Sequence, residues 1–126
     1  MIRVEIPITT TGADASALGS GTSPMVRGKL HAVFLDYHAS CPATADVTVS
    51  MAEAPSKTLL TVTDSATDGW YFPRNAVHST AGAALTYDGT RPVAEAFPIT
   101  GRLTVAIAGA NALTNCVVAY LYIEED

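Results

Sequence analysis

Few side chains in this sequence stand at spacings that organise chemistry. The three histidines, His31, His38 and His78, form no His-x-x-x-His pair, and Cys41 and Cys116 form no Cys-x-x-Cys pair. A zinc site needs three or four converging ligands, so no metal is expected. His31 and His38 lie on one predicted strand at an odd spacing, which under strict alternation turns them to opposite faces. Asp64, Asp68 and Asp88 are oxygen donors of the kind calcium uses. The spacing Asp64-x-x-x-Asp68-Gly69 does not follow the helix–loop–helix calcium loop, and aspartate and glycine in turns already have a backbone explanation. No serine lies in Gly-x-Ser-x-Gly. Cys41 is followed by Pro42, with no helix start to lower its pKa. Gly19-Ser20-Gly21 lacks the lysine and the strand–helix setting of a phosphate loop. No cofactor and no catalytic residue emerge, and the expectation is a protein that is not an enzyme.

One segment does stand out. Residues 68–78, Asp-Gly-Trp-Tyr-Phe-Pro-Arg-Asn-Ala-Val-His, hold the only tryptophan, two more aromatic rings, an arginine and a histidine. Trp, Tyr and Arg are the residue types enriched where proteins bind one another. The candidate interface is therefore Trp70, Tyr71, Arg74 and His78, joined by Tyr87 and Arg91 around the Asp88-Gly89 turn. The competing reading puts Trp70 and Phe72 in the core and turns Tyr71 and Arg74 outward by alternation. Tyr120 and Tyr122 share one face of the last strand, where they either cover a second sheet or stand exposed as stacking platforms for a sugar or a partner.

The elements that must position these residues are strands. Ile2, Val4 and Ile8 alternate in a first strand. Residues 26–38 read as a long or bulged strand that ends at Ser40-Cys41-Pro42, because proline cannot donate to a ladder. Residues 46–52 and 58–63 alternate cleanly and are joined by a turn at Ala54-Pro55-Ser56. Residues 83–87 and 90–95 flank Asp88-Gly89, a strong hairpin signal. Residues 102–108 and 116–124 make the last pair of alternating strands. Between Thr9 and Met25 the chain is rich in Thr, Gly, Ala and Ser. It reads there as a long mobile connection, with Ala13–Leu18 as an alternative short helical turn. The expectation is an all-β single domain, an antiparallel β-sandwich or small barrel of about 7–8 strands. Residues 1–25 form an N-terminal strand and flexible arm, and residues 26–126 form the sandwich. The first strand can pair within its own domain or with a neighbour's sheet edge.

Composition bounds the partners. The chain has 126 residues, of which 48% are apolar and 15% charged, with a net charge of −5. Seven Lys and Arg spread along it leave no basic footprint for nucleic acid. No apolar run approaches the ~18–20 residues that span a bilayer. A mean hydropathy of +0.25 is too high for a disordered chain. The start, Met-Ile-Arg-Val-Glu-Ile-Pro-Ile, lacks the pattern of a secretory signal. A reducing cytoplasm is the expected place of synthesis, with Cys41 and Cys116 as free thiols; spacing alone does not bring their sulfurs together. A surface with so few charges suits close packing against copies of itself or another protein.

The run Thr67-Asp68-Gly69-Trp70-Tyr71-Phe72-Pro73-Arg74, the following Val77 to Ala84, and Leu85-Thr86-Tyr87-Asp88-Gly89-Thr90-Arg91-Pro92-Val93 resemble a group of small virion proteins of tailed bacteriophages. Gly28-Lys29-Leu30 with Leu35-Asp36-Tyr37, and Gly101-Arg102-Leu103-Thr104-Val105, fit the same pattern. The likeness spans residues 26 to about 123 and is specific only in the 67–93 block. The resemblance implies a structural component of the phage head, assembled in the bacterial cytoplasm. A capsid decoration (cement) protein is favoured: small, mostly β, often trimeric, and bound between major capsid subunits. A head–tail connector or a tail-associated protein is the alternative within that group. A carbohydrate-binding β-sandwich is the alternative from another class, and a small hydrolase built on Asp64, Asp68 and Asp88 is a third. No catalytic residue transfers by the resemblance, and neither nucleic acid nor membrane is an implied partner.

Overall fold

The computed structural model describes residues 1–53 and 55–126, so Ala54 of the turn expected at Ala54-Pro55-Ser56 lies outside the described residues. Among the described residues ten strands follow in order: β1 (Ile2–Ile8), β2 (Ala17–Thr22), β3 (Val26–Tyr37), β4 (Asp46–Met51), β5 (Lys57–Val62), β6 (Gly69–Tyr71), β7 (Arg74–Ala76), β8 (Ala94–Gly101), β9 (Leu103–Ala110) and β10 (Val117–Glu125). They build two antiparallel sheets. One has the order β1-β10-β3-β8-β7, with β6 also paired to β3; the other has the order β2-β9-β4-β5. The inner faces meet in a single core. Leu30, Val33, Leu35, Val117, Leu121 and Ile123 come from the first sheet, and Val47, Val49, Leu103, Val105 and Ile107 from the second. Their period-two spacing is what two half-buried sheets require. The protein is an all-β sandwich.

The stretch between residues 9 and 25 is not a free arm. It contains β2, which pairs with β9 from Ala17↔Ala110 to Thr22↔Thr104. Its inward positions are Ala17, Gly19 and Gly21. A Cβ on Gly19 would lie 2.8 Å from the Thr9 carbonyl oxygen and 2.9 Å from an Ile8 methyl, and one on Gly21 would lie 2.6 Å from Ile6. The strand lies so close over β1 that only small residues fit. Buried hydroxyls fasten both ends: Leu113 N–H donates to Thr10 Oγ1 at 3.0 Å, and Leu103 N–H donates to Ser23 Oγ at 2.9 Å. Residues 13–16 form a turn rather than a helix. The first strand pairs with β10 of its own chain, from Ile2↔Ile123 to Ile8↔Val117.

Strand β3 organises the first sheet. One edge pairs with β10 along its length; the other is shared, with Val26–Leu30 against β8 and Val33–Leu35 against β6. Between these segments the register slips. Tyr122 faces Ala32 while Ile123 faces Leu30, leaving His31 as the extra residue of a bulge. The slip moves the buried positions from Leu30 to Val33 and Leu35, and it places His31 beside Phe72. The hairpin expected around Asp88-Gly89 is corrected in part. The turn forms, but residues 83–87 and 90–93 make only the single bridge Thr86↔Pro92 and join neither sheet. The strand on that side is Ala94–Gly101, which carries Pro98.

Candidate functional site

The register of β6 decides which of its side chains faces solvent. Gly69 stands opposite Leu35, Trp70 opposite Phe34, and Tyr71 opposite Val33. Val33 points into the core, so Tyr71 packs against the core and Trp70 points out. This overturns the reading in which Trp70 and Phe72 were interior and Tyr71 exposed. Trp70 is 52% exposed and Phe72 56%.

The outer face of the first sheet therefore carries a continuous strip of rings. Phe34 lies 5.0 Å from Trp70 and 6.2 Å from Tyr120, measured between ring centres. Trp70 lies 5.2 Å from Tyr122 and stacks on Phe72 at 6.4 Å with a 17° interplanar angle. His31 meets Phe72 edge-on at 6.2 Å, and the Arg3 guanidinium sits 5.3 Å from the Tyr120 ring centre. Such pairs are each worth about 0.5–1.5 kcal/mol beyond the area they bury. The strip is consequently held in shape by its own contacts. Arg74 fixes its end: its Nη1 donates to the His31 carbonyl at 3.0 Å and to the Pro73 carbonyl at 2.8 Å. Arg74 is exposed, yet its hydrogen bonds tie the β6–β7 corner to the bulge.

Beyond β7 the chain leaves the sandwich. Val77 N–H donates to the Val93 carbonyl at 3.0 Å, closing the base of a loop in which residues 80–92 are all exposed. His78 bridges Ala84 at that base. Tyr87, 66% exposed, and Arg91 pair at the tip, with the guanidinium 5.7 Å from the ring centre and Arg91 Nε 2.9 Å from Asp88 Oδ2. Asp88 Oδ1 accepts from the backbone N–H groups of Arg91 at 2.6 Å and Thr90 at 3.0 Å. Those bonds hold the Asp88 carboxyl below its ordinary pKa. The six expected interface residues thus separate. Trp70 lies in the ring strip, Tyr71 supports it from the core side, Arg74 braces it, and His78, Tyr87 and Arg91 belong to the loop. Phe34 was overlooked, although it sits between Val33 and Leu35 in a strand of recognisable alternation; Tyr120 and Tyr122 were legible from the period of β10.

Asp68 and Asp46 use their carboxylates to hold backbone. Asp68 Oδ1 accepts from Tyr37 N–H at 2.7 Å, and Asp46 Oδ1 accepts from Asp64 N–H at 2.8 Å. No group of three or more His, Cys, Asp or Glu side chains converges among the described residues. Two adjoining open grooves of about 390 Å³ share Met25, Thr100, Gly101 and Asp126, and one adds Met51, Glu53 and Pro98. At the end of the sandwich where β3 stops, the Tyr37 hydroxyl is buried without a hydrogen-bond partner among the described residues. Burial first, then the neighbouring Tyr71 and Cys41, push its pKa above the usual tyrosine range. Cys41 and Cys116 are free thiols with their sulfurs 3.6 Å apart. Burial, with the hydrogen bond to Cys116 next, pushes the Cys41 thiol up to about 12.

Compared with protein-family models, curated proteins and solved structures, the chain matches none.

Proposed function

We propose that this chain is a non-catalytic structural protein of a bacteriophage particle, a decoration protein that binds between major capsid subunits and stabilises the head. The observation that carries the reading is the pre-ordered ring strip in which Trp70 and Phe72 stand exposed beside the half-buried Phe34, Tyr120 and Tyr122. Large aromatic side chains held outward on a sheet, with Arg3 and Arg74 beside them, are anchors of the type that dominate protein–protein binding. The resemblance in residues 67–93 supports the same reading, since that block contains Trp70, Phe72 and the projecting loop. A decoration protein acts by mass action: each copy binds the assembled shell better than its separated subunits and so raises the shell's stability.

The test uses expanded, empty shells of the phage that encodes the chain. The protein binds them saturably and raises their melting temperature, and Trp70→Ala weakens binding about tenfold or more. Absence of shell binding together with copurification on tails would replace this reading with a connector or tail role. The parallel, exposed Trp70 and Phe72 rings favour one reading from another class, a platform on which a sugar stacks. A glycan array separates the two, because a decoration protein gives no hits.

A further inference from the structure

We propose that Cys41 and Cys116 form an oxidisable pair, a site at which an intramolecular disulfide cross-links the turn after β3 to the start of β10. The inference is independent of the role in the particle. It rests on how the backbone places the two sulfurs. Cys116 is fully buried and clamped from both sides: its N–H donates to the Ile8 carbonyl at 2.8 Å, and its carbonyl accepts from His38 N–H at 2.8 Å. Cys41 N–H donates to the His38 carbonyl at 2.9 Å, closing the turn that carries the second thiol back over the first. The residue that receives Cys41 is therefore the residue that holds Cys116. The sulfurs are left 3.6 Å apart, in van der Waals contact. A disulfide requires about 2.05 Å, and the missing distance falls on a turn rather than on a central strand.

Burial fixes the order of events. Only Cys41 is partly exposed, so only it can meet a reagent from solution. With a low-molecular-weight disulfide as oxidant, the Cys41 thiolate attacks one of its sulfurs, that S–S bond breaks, and the first leaving thiolate takes up the Cys41 proton. The Cys116 thiolate then attacks the Cys41 sulfur, the mixed disulfide breaks, and the second leaving thiolate takes up the Cys116 proton. Two protein thiols are oxidised to one disulfide, and one external disulfide is reduced to two thiols. The raised Cys41 pKa makes the first step slow at neutral pH and faster as pH rises. The closed link joins residues 75 apart in sequence. Restricting a loop that long in the unfolded chain raises the melting temperature by roughly 10 °C.

The reduced full-length protein is incubated with oxidised glutathione across a pH series, then read by thiol titration, intact mass and non-reducing peptide mapping. The expected result is loss of both thiols, loss of two hydrogen atoms, a Cys41–Cys116 linked peptide, a rate that climbs with pH, and a higher melting temperature that dithiothreitol reverses. Cys116→Ala stops at a stable glutathione adduct on Cys41, and in Cys41→Ser the remaining thiol stays unmodified while the protein is folded. A persistent adduct on the unsubstituted protein, disulfide-linked dimers, or native thiols that survive while the urea-unfolded chain oxidises would overturn the proposal. Equal labelling of Cys116 in Cys41→Ser would do so too.

Discussion

Single side chains in this protein are decided by where a register puts them. Trp70 and Tyr71 are adjacent and aromatic, yet one is opposite Phe34 and faces solvent while the other is opposite Val33 and faces the core. Tyr37 shows the complementary case, a hydroxyl carried inside by its ring and left without a partner. Removing such a group costs little in hydrogen bonding, since among the described residues only Ser65 comes near the hydroxyl, and relieves its desolvation. Tyr37→Phe is expected to leave stability unchanged or raise it by up to about 1 kcal/mol, measured by urea unfolding at neutral pH. The pH dependence follows from the raised pKa. Neutral Tyr37 contributes its full stability below the unfolded tyrosine pKa of about 10, and that contribution is lost as pH rises beyond it. In Tyr37→Phe the alkaline fall becomes shallower, and the share belonging to Cys41 persists.

At the scale of elements, strands with an unbroken alternation of large inward residues were readable; β2, which has none, and most of β8, whose inward Phe97 and Ile99 flank Pro98, were not. Val47, Val49 and Met51 of β4, and Leu103, Val105 and Ile107 of β9, announce a period of two in the sequence. Strand β2 carries the same period in Ala17, Gly19 and Gly21, which look like linker composition because β1 leaves room for nothing larger. Gly19→Ala therefore sets a methyl against the Thr9 carbonyl and is expected to cost about 1–3 kcal/mol, read from denaturant midpoints; an unchanged midpoint would mean that β2 is not packed on β1. The Asp88-Gly89 signal correctly marked a turn, but hairpin chemistry does not say whether a sheet waits beside it. The site was legible as a set of residue types in 68–78 and illegible as a surface, since the faces of β6 depend on the β3 bulge at His31. The loop from Val77 to Val93 buries little, so replacing residues 78–92 with Asn-Gly is expected to change sandwich stability by less than about 1 kcal/mol in thermal unfolding. The same variant is expected to lose shell binding if the Tyr87–Arg91 tip is part of the anchor.

For the whole molecule, low charge and an open aromatic face act together. With 15% of residues charged and a ring strip uncovered, self-association is expected under the proposed decoration role, and the trimer that the resemblance to phage virion proteins implies is the state light scattering on purified protein is expected to report. A monomer at high micromolar concentration would remove self-association from the proposed role. The sheet order also sets a timetable for synthesis. Among the described residues β1 has one strand partner, β10, on the far side of the sequence from it. On the ribosome the first strand must wait for its hydrogen-bonding partner until residues 117–125 emerge, with only the small residues of β2 available to cover Ile6 and Ile8. The sandwich then closes late and slowly, as non-local pairings do, and a chaperone that holds nascent chains has its longest opportunity at residues 2–8.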